Sequence, residues 1–432
     1  MLNENEENEI IPVILAGLDY GREDDFDHSI AEMKALIEAC DMRPVITVTQ
    51  KLEHPDPGSY MGTGKAREIA DLAENQEAGY VIFEDNLSPA QLKNLQKIIK
   101  VPVWDRTTLI LEIFSRRART IEARLQVESA YLKYMLPRLA GMWQHLGRQG
   151  GGGGKGAASN RGIGETQIEL DRRQINKRIA ELDRELGKIE KVRNTQQAGR
   201  KKSGIPLVSL VGYTNAGKST IMNSFLSSDE RPEEKKVLEK DMLFATLDTS
   251  IRHIKMENNR DFLLSDTVGF IENLPHELIK AFRSTLDDAK NADLILIVLD
   301  ASDPYHEDHK KVTEETLRGL DAGNIPRLYI MNKADMVTDR NVSFPFVRED
   351  TIWISAKQGT GLDELRKLIT ERVYGGSRVL KCMIPYNRGE LSDLMHRRAE
   401  VISEEYTAEG ILLTADCPKD IAGAVEEYSI DG

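Results

Sequence analysis

An apolar stretch, Ile205-Pro206-Leu207-Val208-Ser209-Leu210-Val211, runs into Gly212-Tyr213-Thr214-Asn215-Ala216-Gly217-Lys218-Ser219 and on into Thr220-Ile221-Met222-Asn223-Ser224-Phe225-Leu226. Two glycines at this spacing, closed by Lys-Ser and set between a strand and a helix, form the phosphate-binding P-loop pattern. The glycines let the backbone curl until several N–H groups converge on phosphate oxygens at a helix N-terminus. Lys218 is expected at the terminal phosphates, with a catalytic role, and the Ser219 hydroxyl is expected to ligate Mg2+. This one feature commits the surrounding chain to an α/β fold that binds a nucleoside triphosphate.

Later motifs choose the nucleotide. Asp266-Thr267-Val268-Gly269 follows a strand and fits the DxxG element, in which the aspartate holds Mg2+ through water and the Gly269 N–H meets the terminal phosphate. Asn332-Lys333-Ala334-Asp335 follows the strand Leu328–Met331 and fits NKxD. Its Asp335 is expected to accept hydrogen bonds from guanine's ring N–H and exocyclic amine, and adenine would leave that carboxylate unpaired. Ser355-Ala356-Lys357 fits the short loop whose backbone N–H contacts the guanine oxygen. Each motif alone could arise by chance, but all of them fall in order on strand ends. The expected ligand is guanine nucleotide with Mg2+.

Between Ser219 and Asp266 a switch threonine should complete the Mg2+ shell. Phe244-Ala245-Thr246-Leu247-Asp248-Thr249 contains two, and Thr246 is preferred because Phe-x-Thr-Leu resembles the switch of Obg-type GTPases. The residue after DxxG is Phe270, which cannot orient water as a glutamine does there in Ras-like proteins. Slow hydrolysis, stimulated by a partner that orders the switches, is therefore expected, with Lys218, Thr246 and Gly269 as the catalytic candidates.

The 432 residues suit about three domains. The longest strictly apolar run, Leu294–Leu299, is too short to span a bilayer, and the start Met1-Leu2-Asn3-Glu4-Asn5-Glu6-Glu7 is acidic, unlike a signal peptide. Cys40, Cys382 and Cys417 show no metal spacing and are expected as free thiols, so a cytoplasmic protein is expected. The net charge of −13 conceals an asymmetry: 115–202 carries 20 Lys/Arg against 9 Asp/Glu, a net +11, leaving −24 elsewhere. A basic element of this kind meets phosphates or forms a solvated helical face, and charge alone does not choose.

The predicted fold is α/β: a doubly wound P-loop domain preceded by a small α/β domain and an antiparallel helical hairpin, and followed by a small α+β domain. Residues 1–114 alternate strands (Pro12–Gly17, Pro44–Val48, Tyr80–Phe83, Val101–Trp104) with helices at Ile30–Cys40, Ala66–Gln76 and Ser88–Ile99. Residues 115–203 are the basic hairpin. Ile121, Leu125, Leu132, Leu136 and Leu139 mark its first helix, and Ile168, Ile175, Ile179, Leu182, Leu186 and Ile189 make a heptad seam on the second. The joint holds Gly150 to Gly154, Lys155-Gly156 and Asn160-Arg161-Gly162-Ile163-Gly164, a long cationic tip suited to structured RNA. Residues 204–374 are the nucleotide domain, with strands Val208–Val211, Phe262–Ser265, Leu294–Leu299, Leu328–Met331 and Thr351–Ile354. Residues 375–432 form the last unit.

Further stretches carry a resemblance: Tyr60-Met61-Gly62-Thr63-Gly64-Lys65, Leu87-Ser88-Pro89-Ala90-Gln91, Asp105-Arg106-Thr107-Thr108-Leu109-Ile110-Leu111, Ile384-Pro385-Tyr386 and Glu404-Glu405-Tyr406-Thr407. The most specific is Gly162-Ile163-Gly164-Glu165-Thr166-Gln167 after the glycine loop. With the switch motifs, these make the chain similar to the HflX family of bacterial GTPases over nearly its whole length. The resemblance implies a ribosome-associated, Mg2+-dependent GTPase that binds the large ribosomal subunit and its RNA, and separates stalled or idle ribosomes under stress. A monomer is expected, and Phe270 is normal for the family. Ribosome assembly or RNA remodelling, and a signalling GTPase without RNA binding, remain alternatives. Gly62-Thr63-Gly64-Lys65 lacks the full P-loop spacing and a closing Ser/Thr, so a helix-initiating turn is the expectation there.

Overall fold

In the computed structural model, the described residues are 10–21, 25–142, 159–227, 250–256, 260–267, 269–271, 288–337 and 344–430. The expected switch residues Phe244, Ala245, Thr246, Leu247, Asp248 and Thr249, the residue Val268, and the glycines 150–154 lie outside them. The chain divides into two compact units, one built on 1–193 with two short later stretches and the other on the remainder.

The first unit holds a parallel sheet of β1 (Ile11–Asp19), β2 (Met42–Lys51), β3 (Tyr80–Phe83) and β4 (Val103–Trp104), in the order β2-β1-β3-β4. Central β1 is almost continuously apolar because helices cover both faces, as parallel sheets require. The connecting helices are α1 (Asp25–Ala39), α2 (Thr63–Asn75) and α3 (Pro89–Ile99). Gly62, at φ +81, stands immediately before α2, so the Gly62–Lys65 stretch is a helix-initiating turn, and Lys65 pairs with Glu68 at 2.9 Å. Ser88 and Gln91 form a reciprocal capping box that starts α3 behind Pro89. Asp105 caps α4 (Arg106–Arg117), accepting from Thr108 N at 2.9 Å, and also takes the hydroxyl of Tyr134.

Helices α5 (Ile121–Met142) and α6 (Ser159–Ser203) form the hairpin. Their antiparallel register is written in ion pairs: Arg178 with Glu128 at 2.7 Å, Lys133 with Asp183 at 2.9 Å, and Arg193 with Glu122 at 3.4 Å. The seam on α6 behaves as its heptads predict, with Leu182 fully buried and Ile175, Ile179, Leu186 and Ile189 half-buried. On α5 Leu125, Leu132 and Leu136 are likewise half-buried, and the departure is at the start and on the neighbouring face. Ile121 is 74% exposed, whereas Ala123, Val127, Ala130 and Tyr134 are buried. The reason is that α5 packs on α3 and α4 as well as on α6, so small residues and Tyr134 bury a second face beside the leucine stripe. Helix α6 begins at Ser159, so Asn160–Gly164 is helical and not part of the joint. Gly162 and Gly164 cost about 1 kcal/mol each there, which a helix of 45 residues accommodates.

The second unit is organised by a seven-stranded sheet in the order β10-β11-β9-β8-β5-β7-β6. Its strands are β5 (Leu207–Gly212), β6 (Ser250–Ile254), β7 (Phe262–Asp266), β8 (Leu294–Asp300), β9 (Arg327–Asn332), β10 (Phe346–Arg348) and β11 (Thr351–Trp353). The five strands foreseen from sequence run parallel in the middle, and antiparallel β6 and β10 close the edges. Around them lie α7 (Lys218–Ser227), α8 (His306–Gly319) and α9 (Leu362–Tyr374). The core between includes Val208, Leu210, Ile221, Phe225, Phe262, Leu296, Val298, Ile330 and Ile354. A three-stranded antiparallel sheet follows, β12 (Ser377–Ile384), β14 (Ile411–Pro418) and β13 (Glu400–Tyr406), packed by α10 (Gly389–Arg398) and α11 (Lys419–Val425). Cys40, Cys382 and Cys417 are free thiols, and all are buried.

Candidate nucleotide site

The loop from Gly212 to Ser219 lies between the carboxyl end of β5 and the start of α7, where open parallel sheets bind ligands. Two of its glycines are sterically required. A Cβ on Gly212, at φ +145, would stand 2.2 Å from the Val298 carbonyl oxygen, and one on Gly217, at φ +93, would stand 2.2 Å from Asn332 Nδ2. Lys218 is buried within its own loop, its Nζ donating to Gly212 O at 3.0 Å and Tyr213 O at 2.7 Å. Burial pushes the Lys218 pKa down to about 8, against the pull of the Asp266 carboxylate.

Asp266 ends β7 beside β5, and its Oδ2 accepts from the Ser219 hydroxyl at 2.7 Å. A buried carboxylate and a hydroxyl are hard oxygen ligands of the kind Mg2+ uses when phosphates and water complete its shell. Thr267, fully buried, spends its hydroxyl on Leu210 O at 2.7 Å and is a strut between strands. Gly269 lies against the loop, where a Cβ would meet Thr214 Cα at 2.8 Å and Lys218 Nζ at 3.1 Å. Phe270 is buried and bridges to the loop: its N–H donates to Gly212 O at 3.1 Å and its carbonyl accepts from Thr214 N at 2.8 Å.

Asn332 brings the third group to the same end of the sheet. Its Nδ2 donates to Ala216 O at 2.9 Å, and its Oδ1 accepts from Ala356 N at 3.0 Å. Ser355 N donates to Thr360 O at 3.0 Å, and Gln358 N donates to its hydroxyl at 3.3 Å, shaping the loop around Ala356 and Lys357. Asp335, in a 3-10 turn over Ala334–Met336, is half-buried and takes no hydrogen bond from the described residues, so its carboxylate is open to N–H donors. Two further residues were not foreseen. Asp300, at the carboxyl end of β8, holds Lys333 Nζ at 2.8 Å, and His309 of α8 stacks on Tyr213 with ring centroids 3.7 Å apart. An aspartate closing a central strand at the ligand-binding end of the sheet was the available signal for the first, and nothing local in sequence marks the second.

Comparison with known proteins bears on this arrangement. Residues 27–115 match the family described as GTP-binding GTPase N-terminal, residues 117–200 match GTP-binding GTPase Middle Region, and residues 207–333 match 50S ribosome-binding GTPase. A GTPase HflX of Caldanaerobacter subterraneus is 39% identical, covering 94% of this chain and 91% of its own length. That of Escherichia coli is 38% identical, covering 90% and 89%.

The chain belongs to the HflX family of GTPases.

A GTPase HflX of Alkalihalophilus pseudofirmus is 40% identical, covering 93% of this chain and 92% of its own. Among solved structures, one titled "crystal structure of SsGBP and GDP complex" is 25% identical with a TM-score of 0.47, covering 84% of this chain and 98% of that one. As an HflX GTPase the protein binds guanine nucleotide and hydrolyses GTP to GDP and phosphate. No helix among the described residues is long and apolar enough to cross a membrane.

Proposed function

We propose that this GTPase is a ribosome-associated factor that binds the large subunit and, when GTP-bound, promotes dissociation of stalled or idle ribosomes. The observation that carries the reading is electrostatic. A chain of net charge −13 concentrates +11 on 115–202, the helical hairpin, and its nucleotide domain matches a family described as 50S ribosome-binding. The parts act in the proposed order of domains: 1–114, the basic hairpin 115–203, the GTPase domain 204–374, and the unit 375–432.

Within the site, the backbone of Gly212–Gly217 and the Lys218 ammonium hold the phosphates. Mg2+, held by Ser219 and Thr246 with Asp266 behind its water, would neutralise phosphate charge. The Gly269 N–H meets the terminal phosphate, Asp335 reads guanine with Lys333 beside it, and Ser355–Lys357 closes over the base. Asn332 keeps these loops in mutual register. Phe270 offers no hydrogen bond to water, so unaided turnover is slow and the ribosome supplies the stimulation.

Intact ribosomes incubated with the protein and a non-hydrolysable GTP analogue, then resolved on sucrose gradients, test this. Subunits should accumulate with the analogue and not with GDP. Ribosomes that bind the protein yet stay intact would refute splitting and leave an assembly role. Charge reversal along 115–202 should weaken ribosome binding while leaving GDP binding intact. Binding that survives reversal and is insensitive to salt would refute the RNA-facing hairpin.

A further inference from the structure

The absence of a polar residue at Phe270 leaves open which side chain attends the attacking water. The geometry points to Thr214 as a catalytic residue of GTP hydrolysis, its hydroxyl serving the terminal phosphoryl group and the water that attacks it. The inference rests on the GTP-site reading above and adds a role to it.

Thr214 is only 6% exposed, and among the described residues its Oγ1 has no hydrogen-bond partner. Three nearby hydroxyls are engaged in structure: Thr267 with Leu210 O at 2.7 Å, Ser219 with Asp266 at 2.7 Å, Ser265 with Ser209 at 3.0 Å. A buried alcohol left unsatisfied is costly, and valine would fill the same shape without that cost. The residue also sits at the right place. Its N–H is pinned to Phe270 O at 2.8 Å, and a Cβ on Gly269 would lie 2.8 Å from both its Cα and its Cγ2 and 3.1 Å from Lys218 Nζ. The Thr214 side chain and the Lys218 ammonium therefore both pack closely on the DxxG glycine, whose N–H the site reading gives to the terminal phosphate.

A hydroxyl can accept from the attacking water while donating to a phosphoryl oxygen, which the apolar Phe270 ring cannot do. In the step, the water oxygen bonds to the terminal phosphorus, and the bond to the bridging oxygen breaks with its electron pair remaining on GDP. A water proton passes to the released phosphate. Thr214 orients the water and gains or loses no net proton.

The test compares Thr214→Val with Thr214→Ser in the full-length protein. Thr214→Val should bind GDP with wild-type affinity and show a thermal midpoint at or above wild type. Its kcat should fall about 10²-fold with KM little changed, and it should lose the tightened binding of GDP with aluminium fluoride, a mimic of the planar phosphoryl group. Thr214→Ser, which keeps the hydroxyl, should retain most of kcat. An unchanged kcat in Thr214→Val would overturn the role, as would equal losses of GDP binding and of turnover in both variants. A wild-type protein that binds no guanine nucleotide would instead overturn the site reading itself.

Discussion

The Asn332 side-chain amide donates to the Ala216 carbonyl across 2.9 Å, joining the end of β9 to the phosphate loop across 116 positions of sequence. The same side chain accepts from Ala356 N at 3.0 Å. Asn332→Ala would leave a buried carbonyl and a buried N–H unpaired, at about 1–3 kcal/mol each. Urea denaturation should show a loss of roughly 2–4 kcal/mol. Asn332→Asp keeps the acceptor and loses the donor, so it should fall between alanine and wild type.

Gly212 and Gly217 should respond differently to alanine. At Gly212 the added Cβ would meet the Val298 backbone at 2.2 Å, so β5 and β8 must part, at a cost of roughly 3 kcal/mol or more. At Gly217 the obstacle is the Asn332 side chain, which could move only by giving up its hydrogen bonds to Ala216 and Ala356, and φ +93 strains any residue with a Cβ. Gly217→Ala should therefore cost stability comparable to loss of the Asn332 side chain, roughly 2–4 kcal/mol, and nucleotide affinity besides. Thermal melts with and without GDP separate the two outcomes.

Lys218 carries a pH dependence with a definite sign. Its folded-state pKa of about 8 lies below the ordinary 10.5, so between those values the unfolded chain holds a proton that the folded chain has shed. Its contribution to stability without nucleotide thus rises with pH from about 8 to about 10 and is smallest at and below neutrality. Lys218→Met should remove that slope, add on the order of 2 kcal/mol at pH 7, and abolish nucleotide binding. Denaturation curves at pH 7 and pH 9.5 check it.

Arg260, just before β7, pairs with Asp416 of β14 at 2.6 Å, and Ser377 donates to the same carboxylate at 2.8 Å. Arg260 is only 12% exposed, so the pair is largely out of solvent. Arg260→Gln should cost about 1–3 kcal/mol, and a double-mutant cycle with Asp416→Asn should show coupling of about 1 kcal/mol or more. Additive effects would mean that the ion pair contributes nothing.

Motifs with fixed backbone requirements were legible in the sequence, because glycine at φ +145 or an asparagine between two loops has few substitutes. The parallel strands were equally legible from their long apolar runs. What escaped was carried by partners distant in sequence. Asp300 holds Lys333 from another strand, His309 stacks on Tyr213 from another helix, and Arg260 meets Asp416 across 156 positions. The short edge strands β6 and β10 escaped because Ser-Ile-Arg-His-Ile and Phe-Val-Arg are too brief and too charged to stand out. On α5 the leucine periodicity marked one face and missed the buried Ala123, Val127 and Ala130, since the helix has neighbours on more than one side.

The pairing of β6 with β7 has a mechanical consequence. Ser250 stands opposite Asp266, and the ribbon continues to Ile254 opposite Phe262, two residues after Arg260. A slip of one position would carry every side chain of β6 to the opposite face of the sheet, so the ribbon holds a single alignment. Strands β6 and β7 therefore make one splint: Ser250 cannot shift along Asp266 without breaking the whole ladder and pulling on the Arg260–Asp416 pair that fastens its far end to β14.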